Sequence, residues 1–166
     1  FSIIIPAHNC ADTILRALES VRRQSCREYE VIVIDDASTD ATREVVEGIG
    51  DPEVRVFSRQ EPGPGGYAAR NLGIEEARCE WIAFLDADDE WDEGYLAHQA
   101  DLIERFPEAG FFSTGWRNYR SEDRIVVDAY TRAREGNGGG EASSPRGEPY
   151  EARRIGPGAF FREWVS

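Results

Sequence analysis

The stretch Tyr29-Glu30-Val31-Ile32-Val33-Ile34-Asp35-Asp36 is a short, largely apolar run that ends abruptly in two aspartates. Ser38-Thr39-Asp40 follow, and their side chains are of the kind that caps helix N-termini. Beyond them, Ala41, Val45 and Ile49 recur at helical spacing and predict one buried helix face. This part of the chain therefore predicts a strand followed directly by a helix.

The same strand-then-helix unit recurs on both sides of this stretch. The other predicted elements are strands at residues 1–6, 54–57 and 81–85 and helices at residues 12–25, 65–77 and 93–106. Strands that are apolar throughout and separated by amphipathic helices indicate a mostly parallel sheet with both faces covered. We therefore predict an α/β domain in which helices flank the sheet.

The pattern changes after Pro107. Residues 110–119 are rich in aromatic side chains, and residues 124–130 alternate in the manner of a strand. Residues 131–149 are rich in glycine, serine and charge without any period, which is typical of a long mobile loop. A last strand is predicted within residues 155–165. The 166 residues fit a single domain, and the absence of methionine leads us to expect a piece of a longer protein.

The charge balance argues against one class of partner. The chain has 32 acidic and 19 basic residues, all of the latter arginine, and a formal net charge of −13. Because phosphate backbones attract basic surfaces, we do not expect nucleic acid as a partner. An anionic membrane surface is disfavoured for the same reason.

Cysteine usage and hydropathy bear on location. Cys10, Cys26 and Cys79 lack the C-x-x-C spacing of zinc and redox motifs, which favours reduced, packed thiols in a cytoplasmic protein. The longest apolar run, residues 81–85, is far shorter than the ~20 residues of a bilayer span. We therefore predict no transmembrane segment in this chain, and a cytoplasmic location in which any membrane contact is peripheral, at the inner face.

Carboxylates follow the predicted strands at the positions where ligands bind in open α/β sheets. Asp35 and Asp36 end the second strand, and Asp86, Asp88 and Asp89 follow the fourth. Like charges this close repel one another, so such a cluster favours a bound cation. Mg²⁺ is commonly held by one or two carboxylates together with substrate phosphates. The pattern indicates a metal–diphosphate site, and capping of the helix near Glu93 is the alternative.

Other polar residues near this edge allow two interpretations each. Asp36 is either a ligand-binding residue or a helix N-cap. His8 is either an ordinary loop histidine or a ring that stacks on a base, and Asn9 is also a common turn former. Arg70 either meets a phosphate or lies on an exposed helix surface. Residues 63–68 spell G-x-G-x-x-A, but the first strand-to-helix turn lacks glycine, so we reject a dinucleotide fingerprint.

Four segments of the sequence resemble the signature segments of family 2 glycosyltransferases of the GT-A fold. They are Phe1-Ser2-Ile3-Ile4-Ile5-Pro6-Ala7-His8-Asn9, Val31-Ile32-Val33-Ile34-Asp35-Asp36-Ala37-Ser38-Thr39-Asp40, Ala69-Arg70-Asn71-Leu72-Gly73 and Ala83-Phe84-Leu85-Asp86-Ala87-Asp88-Asp89. Their order and spacing make the resemblance specific, whereas an isolated D-x-D is common by chance. The resemblance extends over about residues 1–120.

The resemblance implies an inverting glycosyl transfer from a nucleoside diphosphate sugar, most often linked to UDP. It implies that Asp36 accepts a hydrogen bond from the base, that Asp86 lies near the ribose or phosphate, and that Asp88 binds Mn²⁺ or Mg²⁺, with Asp86 as a further metal ligand. His8 stands where the family more often has tyrosine. The nucleotide-sugar site expected from the resemblance comprises Pro6, Ala7, His8, Asn9, Asp36, Arg70, Asp86, Ala87 and Asp88.

The resemblance also divides the chain into functional parts. Residues 1–120 are expected to form the donor-binding core, and residues 121–166 to begin an acceptor-side region. Because specificity in such folds lies on loops, we further predict that the loop near 131–149 orders over bound donor. The acceptor is a glycan, a lipid-linked molecule or a small molecule. The general base of the family lies downstream of a segment that residues 158–162 resemble, so we expect it beyond Ser166.

Two alternatives to this enzyme have different sequence requirements. A haloacid-dehalogenase-type phosphatase needs a small hydroxyl residue or valine where this chain has Glu90, and a nucleotidyltransferase needs a glycine- and arginine-rich loop after the first strand. Both are disfavoured. A non-catalytic nucleotide-sugar-binding or scaffold domain of the same fold stays open, because no catalytic base is identified in the chain.

Overall fold

Strands and helices alternate along the chain as the sequence predicts. The structure is a computed structural model that describes residues 1–63 and 66–114. In chain order its elements are β1 (Ser2–Ala7), α1 (Ile14–Arg22), β2 (Glu30–Asp36), α2 (Thr42–Gly48), β3 (Val54–Arg59), α3 (Tyr67–Glu76), β4 (Ile82–Phe84) and α4 (Tyr95–Arg105).

The four strands form one parallel sheet in the order β3-β2-β1-β4. The central strands β1 and β2 are almost fully buried, whereas every residue of β3 is half-buried because β3 lies at an edge. The strand order places the two most apolar segments at the centre of the sheet, where both faces are covered. The predicted parallel sheet flanked by helices is confirmed.

Alternate residues of β2 point to opposite faces and meet different helices. Val31 and Val33 join a core with residues of α1, α2 and α4, whereas Ile32 and Ile34 pack with Ala69 of α3 on the other face. This alternation is the two-residue period of a strand. It explains why the whole run from Val31 to Ile34 is apolar.

Helix α3 lies very close to the sheet. A Cβ atom placed on Gly73 would come within 2.4 Å of Cγ2 of Ile4, a residue of β1 that is fully buried. Only glycine allows this separation between helix and strand. The glycine of the third signature-like segment therefore has a packing role.

Two local predictions need correction. The fully buried residues of α2 are Thr42 and Val46. The predicted Val45 and Ile49 are half-buried and pack against the same core, whereas Ala41 precedes the helix and is exposed. Strand β3 continues to Arg59, beyond the predicted end at Phe57, because its last residues stay in register with the end of β2. The second correction matters for the site described below.

Several predictions concern residues outside the described ranges. They are the strands at 124–130 and 155–165, the mobile loop at 131–149, the segment 158–162 and the base beyond Ser166. The chain divides into two compact units, Phe1–Asp101 and Leu102–Ser166, and the predicted boundary at residue 120 stays a prediction. Across residues 1–63 and 66–114 the structure contains no helix with the length and apolar character of a membrane span.

Candidate functional site

A cleft of ≈ 650 Å³ opens at the edge of the sheet where the parallel strands end. Its position agrees with the rule that ligands bind beyond the carboxyl ends of the strands in open α/β sheets. The predicted site residues all line this one cleft: Pro6, Ala7, His8, Asn9, Asp36, Arg70, Asp86, Ala87 and Asp88. Residues far apart in sequence are thus brought together by the strand order.

The turn after β1 is tied to the loop after β2 through Asn9. Its backbone is left-handed, with φ of 51°. Its side-chain Oδ1 accepts hydrogen bonds from the backbone N–H groups of Thr39 at 2.8 Å and Asp40 at 3.3 Å. Asn9 is therefore both a turn former, as its residue type suggests, and a clamp between two loops of the cleft.

The ring of His8 is held at the mouth of β1. Its Nδ1 lies 2.7 Å from the backbone carbonyl oxygen of Asp36. A carbonyl oxygen only accepts, so Nδ1 carries the proton, and Nε2 accepts from the side-chain amide of Asn9 at 3.3 Å. The exposed ring is thus fixed in one orientation and one tautomer beside the cleft.

Asp36 is a buried carboxylate with two fixed partners. Its side chain is 5% exposed and forms an ion pair with Arg59, which is its partner on the neighbouring strand in the β2–β3 register. The backbone N–H of Gly63 donates to its Oδ2 at 3.1 Å. Helix α2 begins instead beside Asp40, whose Oδ1 accepts from the N–H of Thr42 at 3.0 Å. The helix-cap interpretation of Asp36 is therefore wrong.

The segment after β4 presents its aspartates to the cleft. Ala87 is buried at 6% exposure, whereas Asp86 and Asp88 on either side of it are exposed and line the cleft. Asp86 is paired with Arg70 of α3, so Arg70 reaches across the cleft and is not an ordinary surface residue. Helix α4 starts only at Tyr95, whose N–H donates to the carbonyl of Asp92. Asp86 and Asp88 therefore belong to the cleft.

Negative charge is concentrated at this segment. Desolvation raises the pKa of the Asp89 carboxyl, and the charges of Asp88 and Asp86 raise it further. In the described ranges, no group of three or more His, Cys, Asp or Glu side chains is arranged to hold a metal ion. The residues present fit an ion that takes one or two carboxylates and completes its ligands with substrate oxygens, rather than an ion caged by protein.

Cys10 also lines the cleft but is suited to packing. Burial raises the pKa of its thiol, although a hydrogen bond with Thr42 acts in the opposite direction. A thiol with a raised pKa stays protonated near neutral pH and is a weak nucleophile. This agrees with the prediction of a packed, reduced cysteine.

Two contributors to the site escaped sequence analysis. Arg59 lies beyond the predicted end of β3, and the backbone N–H of Gly63 belongs to a glycine-rich loop considered only as a dinucleotide fingerprint. Continued pairing of β3 with β2 was the signal that would have placed Arg59 beside Asp36. That signal depends on strand register, which a single sequence does not reveal.

Comparison with known proteins identifies relatives of this chain. Residues 2–162 match the family model described as Glycosyl transferase family 2. The chain is 49% identical over 89 residues to the succinoglycan biosynthesis protein ExoO of Rhizobium meliloti (strain 1021), which is 53% of this chain and 25% of that protein. It is 36% identical over 126 residues to the Escherichia coli UDP-Glc:alpha-D-GlcNAc-diphosphoundecaprenol beta-1,3-glucosyltransferase WfaP, covering 76% of this chain and 48% of that protein.

Solved structures show the same fold. TarS residues 1–349 of S. aureus in complex with UDP-GlcNAc align with a TM-score of 0.61 at 31% identity, over 64% of this chain and 32% of that one. The mannosyltransferase PcManGT from Pyrobaculum calidifontis, in complex with GDP-Man and Mn²⁺, aligns with a TM-score of 0.58 at 25% identity, over 72% and 35%. The expected GT-A fold is confirmed.

These matches are partial with respect to the relatives. The chain spans between a quarter and about half of the length of the first curated relatives that it matches. The family model, by contrast, extends over nearly the whole of this chain. The chain therefore belongs to glycosyltransferase family 2.

Proposed function

We propose that this chain forms the donor-binding part of an enzyme that transfers a sugar from a UDP-linked nucleotide sugar to an acceptor hydroxyl, with inversion. The observation that carries the proposal is the single cleft lined by all the predicted site residues. At one end of this cleft lies the buried carboxylate of Asp36, and at the other the guanidinium of Arg70 lies beside exposed carboxylates. A nucleoside diphosphate has matching groups, with an N–H donor on the base and negative charge on the phosphates.

The end of the cleft near β1 and β2 is suited to a nucleoside. Asp36 accepts an N–H from uracil, while Pro6, Ala7 and the ring of His8 flank the base and ribose. The fixed orientation of His8 favours stacking, because the ring does not have to be ordered when the base binds. This arrangement supports UDP, which is also the nucleotide in the name of WfaP and in the TarS complex.

The end of the cleft near β4 is suited to the diphosphate. Asp88 and Asp86 would hold Mn²⁺ or Mg²⁺, and Mn²⁺ is present in the PcManGT complex. A divalent ion bound there would stabilise the charge that develops on a departing diphosphate. Arg70, which is paired with Asp86, brings a guanidinium to the same place and would contact phosphate oxygens by charge-assisted hydrogen bonds.

Inversion requires direct displacement at the anomeric carbon by the acceptor hydroxyl, with a general base to take its proton. We place that base outside the described residues, in the acceptor-side part of the protein. Names of relatives that refer to succinoglycan biosynthesis and to a diphosphoundecaprenol-linked sugar support a glycan or lipid-linked acceptor. A cytoplasmic location at the inner face of the membrane would place the enzyme beside such an acceptor.

Calorimetric titration tests the donor site. UDP, GDP and dTDP are titrated into the chain with and without Mn²⁺, and the series is repeated with Asp88→Asn and with Glu75→Gln. Glu75 is exposed on α3 and matches the loss of charge without lining the cleft. We expect metal-dependent UDP binding that Asp88→Asn weakens at least about tenfold, while Glu75→Gln binds as the wild type does.

Turnover separates an enzyme from a binding domain. If UDP binds but full-length protein with donor and acceptor releases no UDP, the chain is a nucleotide-sugar-binding domain and the transfer is refuted. If product forms, the anomeric configuration in its NMR spectrum tests inversion directly. UDP binding by the wild type that does not depend on Mn²⁺ would refute only the metal-binding role of Asp88.

A further inference from the structure

Arg59 pairs with Asp36 next to the donor cleft. The two residues are partners in the register of β2 and β3, and the guanidinium of Arg59 is paired with Oδ1 of the Asp36 carboxylate. Arg59 borders a separate cavity of ≈ 380 Å³, whereas Asp36 borders the donor cleft. The ion pair therefore joins a residue that borders the donor cleft to a residue that borders the second cavity.

The partners of Asp36 leave one of its oxygens less occupied than the other. Oδ1 accepts from Arg59 and, at 3.3 Å, from the N–H of Gly63. Oδ2 accepts from the same N–H at 3.1 Å. An ionised carboxylate has about four acceptor positions, so Oδ2 retains capacity for one donor from a ligand.

Gly63 fixes this arrangement through close contact. A Cβ atom at Gly63 would lie 2.8 Å from Nη1 of Arg59 and 2.7 Å from Cβ of Ala68. The loop can approach Arg59 and still donate to Asp36 only because residue 63 has no side chain. Arg59, Gly63 and Asp36 thus form one tightly packed unit at the base-binding end of the cleft.

We infer that Arg59 is a positioning residue that makes Asp36 selective for a base with a single N–H donor, such as uracil. With Oδ1 held by Arg59, the carboxylate offers one acceptor to the ligand. Guanine presents two adjacent donors, N1–H and the N2 amino group, which pair best with both oxygens of a carboxylate. Uracil presents one N–H between two carbonyl groups and needs only Oδ2.

This inference rests on the proposed function, because it assumes that the base contacts Asp36. It predicts that loss of Arg59 changes the selectivity of the site and not merely its affinity. A purely structural role would weaken all nucleotides alike. The ratio of the dissociation constants of two ligands that differ by one N–H donor therefore separates the two roles.

The experiment measures binding of UDP, N3-methyl-UDP and GDP by calorimetry in the presence of Mn²⁺. The variants are Arg59→Ala, Arg59→Lys and, as a matched control, Arg43→Ala, which removes an arginine that borders the same second cavity and pairs with Glu47. Thermal unfolding establishes that each variant is folded. The lysine variant keeps the charge near Asp36 but not the planar guanidinium, and it serves if the alanine variant fails to fold.

We expect N3-methylation to weaken binding to the wild type and to Arg43→Ala by about tenfold or more, as loss of a hydrogen bond to a charged group predicts. Without Arg59 the carboxylate is free to turn and no longer holds Oδ2 toward the base, so in Arg59→Ala that penalty should fall below about threefold. The preference for UDP over GDP should shrink as well, because Oδ1 can then accept the second donor of guanine. For Arg59→Lys, we expect a methylation penalty and a UDP preference between those of the wild type and of Arg59→Ala.

Contrary outcomes separate this inference from the proposed function. If every folded Arg59 variant keeps the wild-type methylation penalty and UDP preference, the positioning role is wrong while the donor site stands. If the wild type binds UDP and N3-methyl-UDP equally, the base does not contact Asp36 and the inference is wrong. If the wild type binds no nucleotide, the proposed function and the inference both fail.

Discussion

Replacement of Gly73 by alanine should destabilise the protein although alanine is the better helix former. Gly73 lies within α3, and the added methyl group would come within 2.4 Å of Cγ2 and 3.1 Å of Cγ1 of Ile4. Ile4 is fully buried in β1, so it has no room to move aside. The helix must lift from the sheet or Ile4 must leave its rotamer.

The magnitude follows from two opposing terms. Alanine in place of glycine inside a helix contributes roughly 1 kcal/mol of stability. Inserting a methyl group into a packed core costs about 1–3 kcal/mol, and an overlap of this size places the cost at the upper end. We therefore expect a net loss of about 2 kcal/mol, or a melting temperature lower by roughly 4–8 °C for a chain of this size.

The assay is urea unfolding of the wild type, Gly73→Ala and the control Gly48→Ala. Gly48 ends α2, and a Cβ atom there would meet nothing within 4 Å, so that variant should gain roughly 0.5–1 kcal/mol. In an Ile4→Ala background, which removes the clashing atoms, Gly73→Ala should instead stabilise the protein by roughly 1 kcal/mol, because only the helix preference of alanine then remains. Equal stabilisation by Gly73→Ala and Gly48→Ala would refute the packing argument.

Two further variants test the fold, one beside the cleft and one at the opposite edge of the sheet. Asn9→Ala removes the acceptor shared by Thr39 and Asp40, so it should lower the free energy of unfolding by about 1–3 kcal/mol, and no loss in urea unfolding would contradict the clamp. Burial opposes ionisation of Glu30, but hydrogen bonds from Ser2, the Arg78 amide and Arg55 lower its pKa. A carboxyl whose pKa is lower in the folded than in the unfolded state stabilises the fold at pH values above the unfolded-state pKa. This stabilisation is lost as the pH falls through the folded-state pKa. Glu30→Gln should therefore be less stable than wild type at pH 7, and the difference should shrink as the pH falls below the ordinary pKa of a glutamate. A pH-independent difference would contradict this.

The sequence was sufficient where its signal is local. Apolar runs predicted the four strands that lie within the described residues, because strands buried on both faces carry apolar residues throughout. The carboxyl ends of parallel strands share one edge, so the residues after β1, β2 and β4 could be expected in one place, and the cleft contains them. Because the strands are parallel, the local pattern of strand ends was enough to predict where the site lies.

The sequence was insufficient where the structure depends on register or on packing between elements. The pairing of Arg59 with Asp36 requires β3 to continue in register beyond its apolar part. The buried face of α2 centres on Thr42 because that residue also donates to Asp40 and contacts Cys10, a polar role that a search for apolar periodicity overlooks. The contacts of Arg59 with Asp36 and of Thr42 with Cys10 also join residues that lie far apart along the chain.

Packing and ligand binding are joined in helix α3. The same helix buries Gly73 against Ile4 and carries Arg70 to Asp86, so the depth at which α3 lies on the sheet sets the reach of Arg70 across the cleft. If Gly73→Ala lifts the helix, Arg70 moves away from Asp86 as well. UDP affinity of that variant should then fall at temperatures where the protein is fully folded, whereas Gly48→Ala should leave it unchanged. Unchanged UDP affinity in a destabilised Gly73→Ala would mean that Ile4 yields and the helix stays in place.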